Sequence, residues 1–240
     1  MTPVVIGTVT IGQAPRPDLL EPLLDRIDPR RVEVRQYGAL DEVDPESLPA
    51  GSIHAPSSLP MLSMAPPASS APTGDDRYPL TTRLGDGRSV TLDETFLAPL
   101  VQAAVERAER DGAAVTLLLC AGGFAGVESS RPLVRPFELA VAVLSSMGLP
   151  DIAVAVPLER QVLPAERKYL AAGFWPIVRA AAPAEAPSVF GGEIDGGSVG
   201  AVVLDYVGHS LEVVAELRQV LPCPLVDLGD LAAAAVAASV

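Results

Sequence analysis

The 240-residue chain carries 30 acidic against 17 basic side chains, a formal charge of −13, with Lys168 as its single lysine. That balance excludes a nucleic-acid surface and an anionic membrane surface, both of which need clustered Lys and Arg, and two cysteines with two histidines exclude a disulfide framework and a Cys/His zinc cluster. With 49% hydrophobic residues and only 4% aromatic ones, the composition predicts Val/Leu/Ala strands covered by helices, in one large α/β domain or two smaller ones sharing a cleft.

Pro3 to Ile11 reads as a first strand, followed at once by Gly12-Gln13-Ala14-Pro15-Arg16-Pro17-Asp18. Pro17 suits a helix start, and Leu19, Leu20, Leu23, Leu24 and Ile27 make an apolar stripe behind it. Val32 to Tyr37 is a second strand. From Leu40 to Asp76 the chain turns Pro-, Ser- and Ala-rich, which predicts a long, partly mobile loop: either a lid over a cleft or an idle insertion, with His54 and Met61 standing out in it. Tyr78–Leu84 and Arg88–Leu92 around Gly85-Asp86-Gly87 form a hairpin, and Glu94 to Arg110 an amphipathic helix.

Val115 to Leu119 is a buried strand that ends on Cys120 and opens into Gly122-Gly123. A polar turn leads to a helix over Leu133–Met147, a strand over Asp151–Pro157, a helix over Leu158–Ala172 and a strand over Trp175–Ala181. A Pro- and Gly-rich connection follows, then a strand at Ala201–Leu204, a helix from about His209 to Gln219, a short strand at Leu225–Asp227 and a terminal helix from Leu228. Strand–helix alternation of this kind predicts parallel sheets with right-handed crossovers. The N-terminus lacks a basic stretch, and the longest uncharged run, Gly112 to Val127, is too short to span a membrane; a cytoplasmic protein is expected.

Ligands of open α/β sheets collect at the carboxyl ends of strands, which selects the candidate site. Cys120 leads: a buried cysteine is often a mere small hydrophobe, but a strand end beside glycine amides can tune a thiol. The amides of Gly122, Gly123 and Phe124 are candidate oxyanion donors. Gln13 and Arg16, stiffened by Pro15 and Pro17, suit a carboxylate, and Thr10 points from the strand before them. Ala201 to Ser210 repeats the pattern of the Cys120 stretch, with Tyr206 laid on Cys120 and Gly208 on Gly122. Asp205 there is open between general base, orienting group for His209 and helix cap, and His209 between a neutral-pH acid/base and a first-turn surface residue. Cys223, set between two prolines, reads as structural.

Thr10-Ile-Gly-Gln-Ala-Pro-Arg-Pro-Asp18, Leu118-Leu-Cys-Ala-Gly-Gly-Phe124 and Val203-Leu-Asp-Tyr-Val-Gly208 resemble the AroM family, itself similar to the aspartate/glutamate racemase superfamily. The likeness covers nearly the whole chain apart from about residues 49–74. It implies two pseudo-symmetric parallel-sheet α/β domains with the ligand cleft between them, and no cofactor and no metal. The expected division is residues 1–132 carrying Cys120, rejoined by 225–240, and 133–224 carrying Asp205-Tyr206.

In that superfamily a cysteine from each half flanks the substrate's α-carbon, while one-cysteine relatives decarboxylate or isomerise small carboxylic acids. By motif Cys120 holds the first cysteine position and Tyr206 replaces the second. A phenol with a pKa near about 10 is a poor neutral-pH base. The resemblance therefore implies a cofactor-independent racemase, isomerase or decarboxylase for a small carboxylate, with Cys120 as acid/base or nucleophile and Tyr206 or His209 opposite it. The alternative is a non-catalytic carboxylate binder with a degenerate site. A small carboxylate is the expected partner, and a homo-oligomer is compatible with either reading.

Overall fold

The uncharged runs pair in parallel because each is followed by a segment that returns across a sheet face. In the computed structural model, which describes residues 3–54 and 78–240, β1 (Val4–Thr10) pairs residue by residue with β2 (Val32–Gly38). The helix expected between them shrinks to a 3-10 turn, Pro17–Leu19, and one α-turn, α1 (Glu21–Leu24). Pro29 disfavours helical geometry at Asp28, and the chain must already be extended again at Val32.

The Leu40–Asp76 segment is described only to residue 54; the rest of the expected lid, Met61 included, lies outside the described residues. Its first part holds a 3-10 turn, Pro45–Ser47, and β3 (Ile53–His54). That strand joins the predicted hairpin, β4 (Pro79–Arg83) and β5 (Ser89–Asp93), in a small antiparallel sheet of order β3-β5-β4. Asp93 then caps α2 (Glu94–Arg110) by accepting from Thr95 N–H, and Leu97, Val101, Ala104, Val105 and Ala108 form the buried stripe.

The chain re-enters the first sheet as β6 (Val115–Leu119), with β7 (Leu133–Val134) outside it. Leu133 was expected to begin a helix; instead α3 (Pro136–Ser146) starts three residues later. Pro136 explains the shift, because it is favoured at the first helical position and holds Arg135 extended.

The second sheet takes β8 (Asp151–Val156), then α4 (Val162–Ala171), then β9 (Trp175–Ala180). The Pro/Gly-rich connection contains two short helices, α5 (Ala186–Val189) and α6 (Gly191–Asp195). They are followed by β10 (Ala201–Leu204), α7 (Leu211–Val220), β11 (Leu225–Asp227) and α8 (Leu228–Ala238). The sheet orders are β2-β1-β6-β7 and β9-β8-β10-β11, all pairs parallel. In each half the first strand is central, the second lies to one side, and the third and fourth to the other. The pseudo-symmetric two-domain α/β architecture is thus present in the strand order itself.

One apolar cluster runs through both halves, from Ile6 and Leu117 of the first sheet to Val154 and Val203 of the second. Ala232, Ala233 and Val236 of α8 belong to it, packed beside α1 and α3. The expected division at residue 133 meets β7, which hydrogen-bonds β6, and the expected return at 225 meets β11, which pairs with β10. It is α8, the element after β11, that lies against the first sheet.

Candidate active site

The carboxyl ends of β1, β6, β8 and β10 and the strand β4 surround a narrow cavity. The first half supplies Thr10, Arg16 and Cys120; the hairpin supplies Tyr78, Thr81 and Thr82; the second half supplies Gln161, Asp205 and Tyr206. Ile11, Leu19, Leu80, Leu119, Pro157, Leu158 and Val207 make the rest of the wall apolar. This is where an open α/β sheet places ligands, here doubled because two sheets present their ends to one space.

Cys120 follows β6 directly and is 5% exposed. Its Sγ accepts from Gly122 N–H at 3.3 Å. Burial nevertheless pushes the thiol up to about 12, against the smaller downward pulls of that amide and of the Lys168 ammonium; Glu94 and Asp205 push the same way as burial. At neutral pH the resting group is a thiol.

Arg16 is 6% exposed. Its Nε and Nη2 hold the Asp18 carboxylate in a two-point pair at 2.8 and 2.6 Å, and Nη1 donates to Thr82 Oγ1 at 3.4 Å. Thr10 Oγ1 accepts from Gly12 N–H at 3.4 Å. Its hydroxyl hydrogen therefore stays available for a ligand.

Asp205, the residue after β10, is the centre of a buried polar cluster. Lys168 Nζ donates to both of its oxygens at 2.9 and 2.7 Å, Tyr78 Oη to Oδ2 at 3.0 Å, and Tyr169 Oη to Oδ1 at 3.2 Å. Burial first, and then the Asp205 charge, raises both phenols well above the ordinary tyrosine value, so they remain donors. Of the three roles left open for Asp205, the geometry supplies none: it anchors Lys168, whose Nζ also donates to Ala121 O at 3.1 Å, one residue beyond Cys120.

Several expected site residues lie elsewhere. Gln13 does not line the cavity: its Nε2 donates to Leu40 O at 3.1 Å and its Oε1 accepts from Gly85 N–H at 2.6 Å, bracing the β1 loop against the hairpin turn. Phe124 N–H is spent on Glu94 Oε1 at 2.8 Å, and Gly122 N–H on the thiol. Of the three amides expected to hold an oxyanion, only that of Gly123 has no partner among the described residues, and none of the three residues lines the cavity.

His209 is neither a first-turn surface residue nor a cavity group, since Ser210 caps α7 and His209 is buried beneath the Tyr206 ring at a centroid distance of 4.6 Å. Its Nε2 lies 3.7 Å from Asp227 Oδ2, and neither atom has a hydrogen-bond partner among the described residues. This is no ion pair: burial lowers the imidazole to about 4 and raises Asp227 to about 7. Tyr206 does line the cavity together with Cys120, and burial raises its phenol to about 12. Cys223 is partly buried in the turn before β11, and it does not line the cavity.

Sequence reasoning missed Lys168, Gln161 and Tyr78. A signal existed for the lysine: it sits three residues after Ala165 and next to Tyr169, on the buried stripe of α4, where a charge requires a partner. Among the described residues no group of three metal-ligating side chains converges, and no helix is long and apolar enough to cross a membrane.

Comparison with known proteins agrees with this architecture. The fold is similar to allantoin racemase from Klebsiella pneumoniae (TM-score 0.62, 14% identity, 98% of this chain and 86% of that one). It is also similar to the maleate isomerase Iso from Pseudomonas putida S16 (0.58, 11%, 99% and 93%) and to unliganded arylmalonate decarboxylase (0.57, 14%, 98% and 93%). Identities this low speak for the fold alone. No curated protein matches by sequence. A family model described as AroM protein matches residues 6–64 and 48–240, nearly end to end, and so the chain belongs to the AroM family.

Proposed function

We propose that this protein is a cofactor-independent enzyme of the racemase, isomerase or decarboxylase type, acting on a small carboxylic acid with Cys120 as the proton-transferring group. The observation that carries the reading is that a buried thiol and a buried guanidinium, Cys120 and Arg16, line one narrow cavity at the strand ends of both halves. Arg16 with the hydroxyls of Thr10 and Thr82 supplies the donors for a carboxylate.

Because burial holds Cys120 protonated, it enters the reaction as an acid. In a decarboxylation the bond from the α-carbon to the leaving carboxylate breaks and its electron pair stays on that carbon, delocalised into the remaining carboxylate. The Sγ–H bond then breaks to protonate the carbon, and the thiolate recovers its proton from water. The Lys168 ammonium favours the transient thiolate. A second, ionised base opposite Cys120 is hard to find, since Tyr206 is held protonated, Asp205 is fully engaged and His209 is outside the cavity. One-donor protonation therefore suits the site better than two-base racemisation.

The test is turnover of small mono- and dicarboxylic acids in D2O, followed by NMR for deuterium at the α-carbon and by release of carbon dioxide. Cys120→Ala is expected to lose at least about 10²-fold in rate, the usual worth of a positioned proton donor. Retained turnover overturns the reading.

The Arg16–Asp18 pair favours a second reading, because a guanidinium already matched by a carboxylate suits reversible binding more than catalysis. In that case carboxylates raise the melting temperature and no deuterium enters any of them.

A further inference from the structure

Gln161 is the cavity residue that the proton-transfer reading leaves unused. It ends the 3-10 turn Glu159–Gln161 that follows β8, lines the cavity and is 5% exposed. Its Nε2 donates to Pro79 O at 2.8 Å. That bond settles which way the amide faces, since the flipped amide would set one oxygen against another. Its Oε1 is buried and has no donor among the described residues. A buried acceptor without a donor is costly and uncommon in folded proteins. Among the described residues Asp205 is the only other carbonyl or carboxylate side chain lining the cavity, and it already accepts four hydrogen bonds, as many as a carboxylate's lone-pair sites allow.

We infer that the ligand is a small carboxylate carrying an uncharged N–H or O–H donor, as in a hydroxy acid or an amide-bearing acid, and that this donor seats on Gln161 Oε1. An α-ammonium acid is disfavoured. Among the described residues its cation finds no carboxylate in the cavity wall but Asp205, whose acceptor sites are already filled, and a buried charge left without a partner is costly. A neutral amide oxygen matches a neutral donor, and a site built around such an acceptor rejects an analogue that lacks it. Gln161 acts here as a specificity-determining residue. The inference rests on the cavity being a carboxylate site, and it names what else the ligand must carry.

The test is calorimetric affinity for matched sets on the full chain: succinate, malate and aspartate; phenylacetate, mandelate and phenylglycine; and N-acetylglycine. In the wild type a hydroxy or amide acid is expected to bind at least about tenfold tighter than the unsubstituted acid of its set, a ratio equivalent to about 1.4 kcal/mol, with the amino acid weakest. Gln161→Met should erase that preference while keeping affinity for the unsubstituted acid. Should Gln161→Met fail to fold, the wild type is measured with α-methoxyphenylacetate, which keeps the oxygen of mandelate and lacks its donor hydrogen, and which should bind no tighter than phenylacetate. Equal binding within each set, tightest binding of an amino acid, a preference that survives Gln161→Met, or a methoxy acid that binds as tightly as its hydroxy acid overturns the inference. Where any of these accompanies Cys120-dependent turnover, the carboxylate-enzyme reading stands and only the ligand class falls. If no acid binds, both fall.

Discussion

Lys168 Nζ and Asp205 Oδ2 meet at 2.7 Å, with the carboxylate side chain wholly buried and the lysine 11% exposed. The pair belongs to the second half, yet both members reach into the first: Lys168 donates to Ala121 O beyond Cys120, and Asp205 accepts from Tyr78 of the hairpin segment. The rings of Phe137, Tyr78 and Tyr169 surround the ammonium at 4.5, 4.9 and 5.2 Å. The pair thus holds the strand ends of the two halves in register around the thiol.

Removing one partner leaves a buried charge without compensation, which is what makes such pairs costly to break. Lys168→Met is expected to lose about 3–5 kcal/mol of stability by urea unfolding. The double variant Lys168→Met/Asp205→Leu should recover much of that loss, because both charges and their desolvation go together. A double variant as unstable as the sum of the two single ones would mean that Lys168 and Asp205 act independently.

Burial is the dominant influence on Cys120, and it predicts a thiol that ionises only at strongly alkaline pH. Alkylation by iodoacetamide at Cys120, mapped by mass spectrometry, should therefore be slow at pH 7 and rise about tenfold per pH unit through pH 9, following the thiolate fraction. Rapid labelling that is flat from pH 6 to 8 would mean a depressed thiol pKa, and with it a base or nucleophile in place of a proton donor.

The α/β alternation and the place of Cys120 were legible because both are local. An uncharged strand ending in Cys-Ala-Gly-Gly announces itself, as does the stripe of α2, and the repeat between the Cys120 and Tyr206 stretches reflects the shared strand order of the halves. The helix bounds at Pro17 and Leu133 went astray where Pro29 and Pro136 outweighed an apolar stripe. The cavity wall was legible only in part, for a tertiary reason. Gln161 and Tyr78 come to the cavity, and Lys168 to the Ala121 carbonyl beside the thiol, from a turn, a hairpin and a helix more than 35 residues away from Cys120 in sequence, and no local pattern sets that approach. Gln13 misled because an amide beside an arginine looks like a ligand pair, whereas its two ends are taken by Leu40 and Gly85.

The Gly122-Gly123 pair was read as one oxyanion device, but the two positions have different tolerances. A Cβ at Gly122 would meet Phe124 Cε2 at 2.6 Å and Leu80 Cδ1 at 3.0 Å, and Phe124 is itself fixed at φ 43°. A Cβ at Gly123 would come no closer than 3.8 Å to Glu94 Oε1. Gly122→Ala is expected to cost about 1–3 kcal/mol, as overpacking does, and Gly123→Ala to stay within about 0.5 kcal/mol. The urea midpoints of the two variants check this, and equal midpoints would contradict the difference in packing.

His209 and Asp227 give the last prediction, which concerns pH. Burial lowers His209 from 6.5 to about 4, so between those values the unfolded chain binds a proton there that the folded chain refuses; this term makes stability rise with pH. Burial raises Asp227 from 3.8 to about 7, so across that range the folded chain keeps a proton that the unfolded chain has lost; this term makes stability fall as pH rises. From about pH 4 to 6.5 the two terms cancel in the wild type. Asp227→Asn, which keeps an acceptor for the Asp230 N–H cap of α8, leaves the histidine term alone. Its stability relative to wild type should rise with pH by about 1.4 kcal/mol per unit across that window. His209→Gln leaves the aspartate term alone, and relative to wild type its stability should fall with pH by a similar amount. Asp230 and Arg218, which act on Asp227 in opposite directions, are common to all three proteins and do not change the signs. Urea unfolding of wild type and both variants at half-unit steps from pH 4 to 7 reads the slopes. Slopes of the same sign in the two variants would refute the opposed burial of this pair.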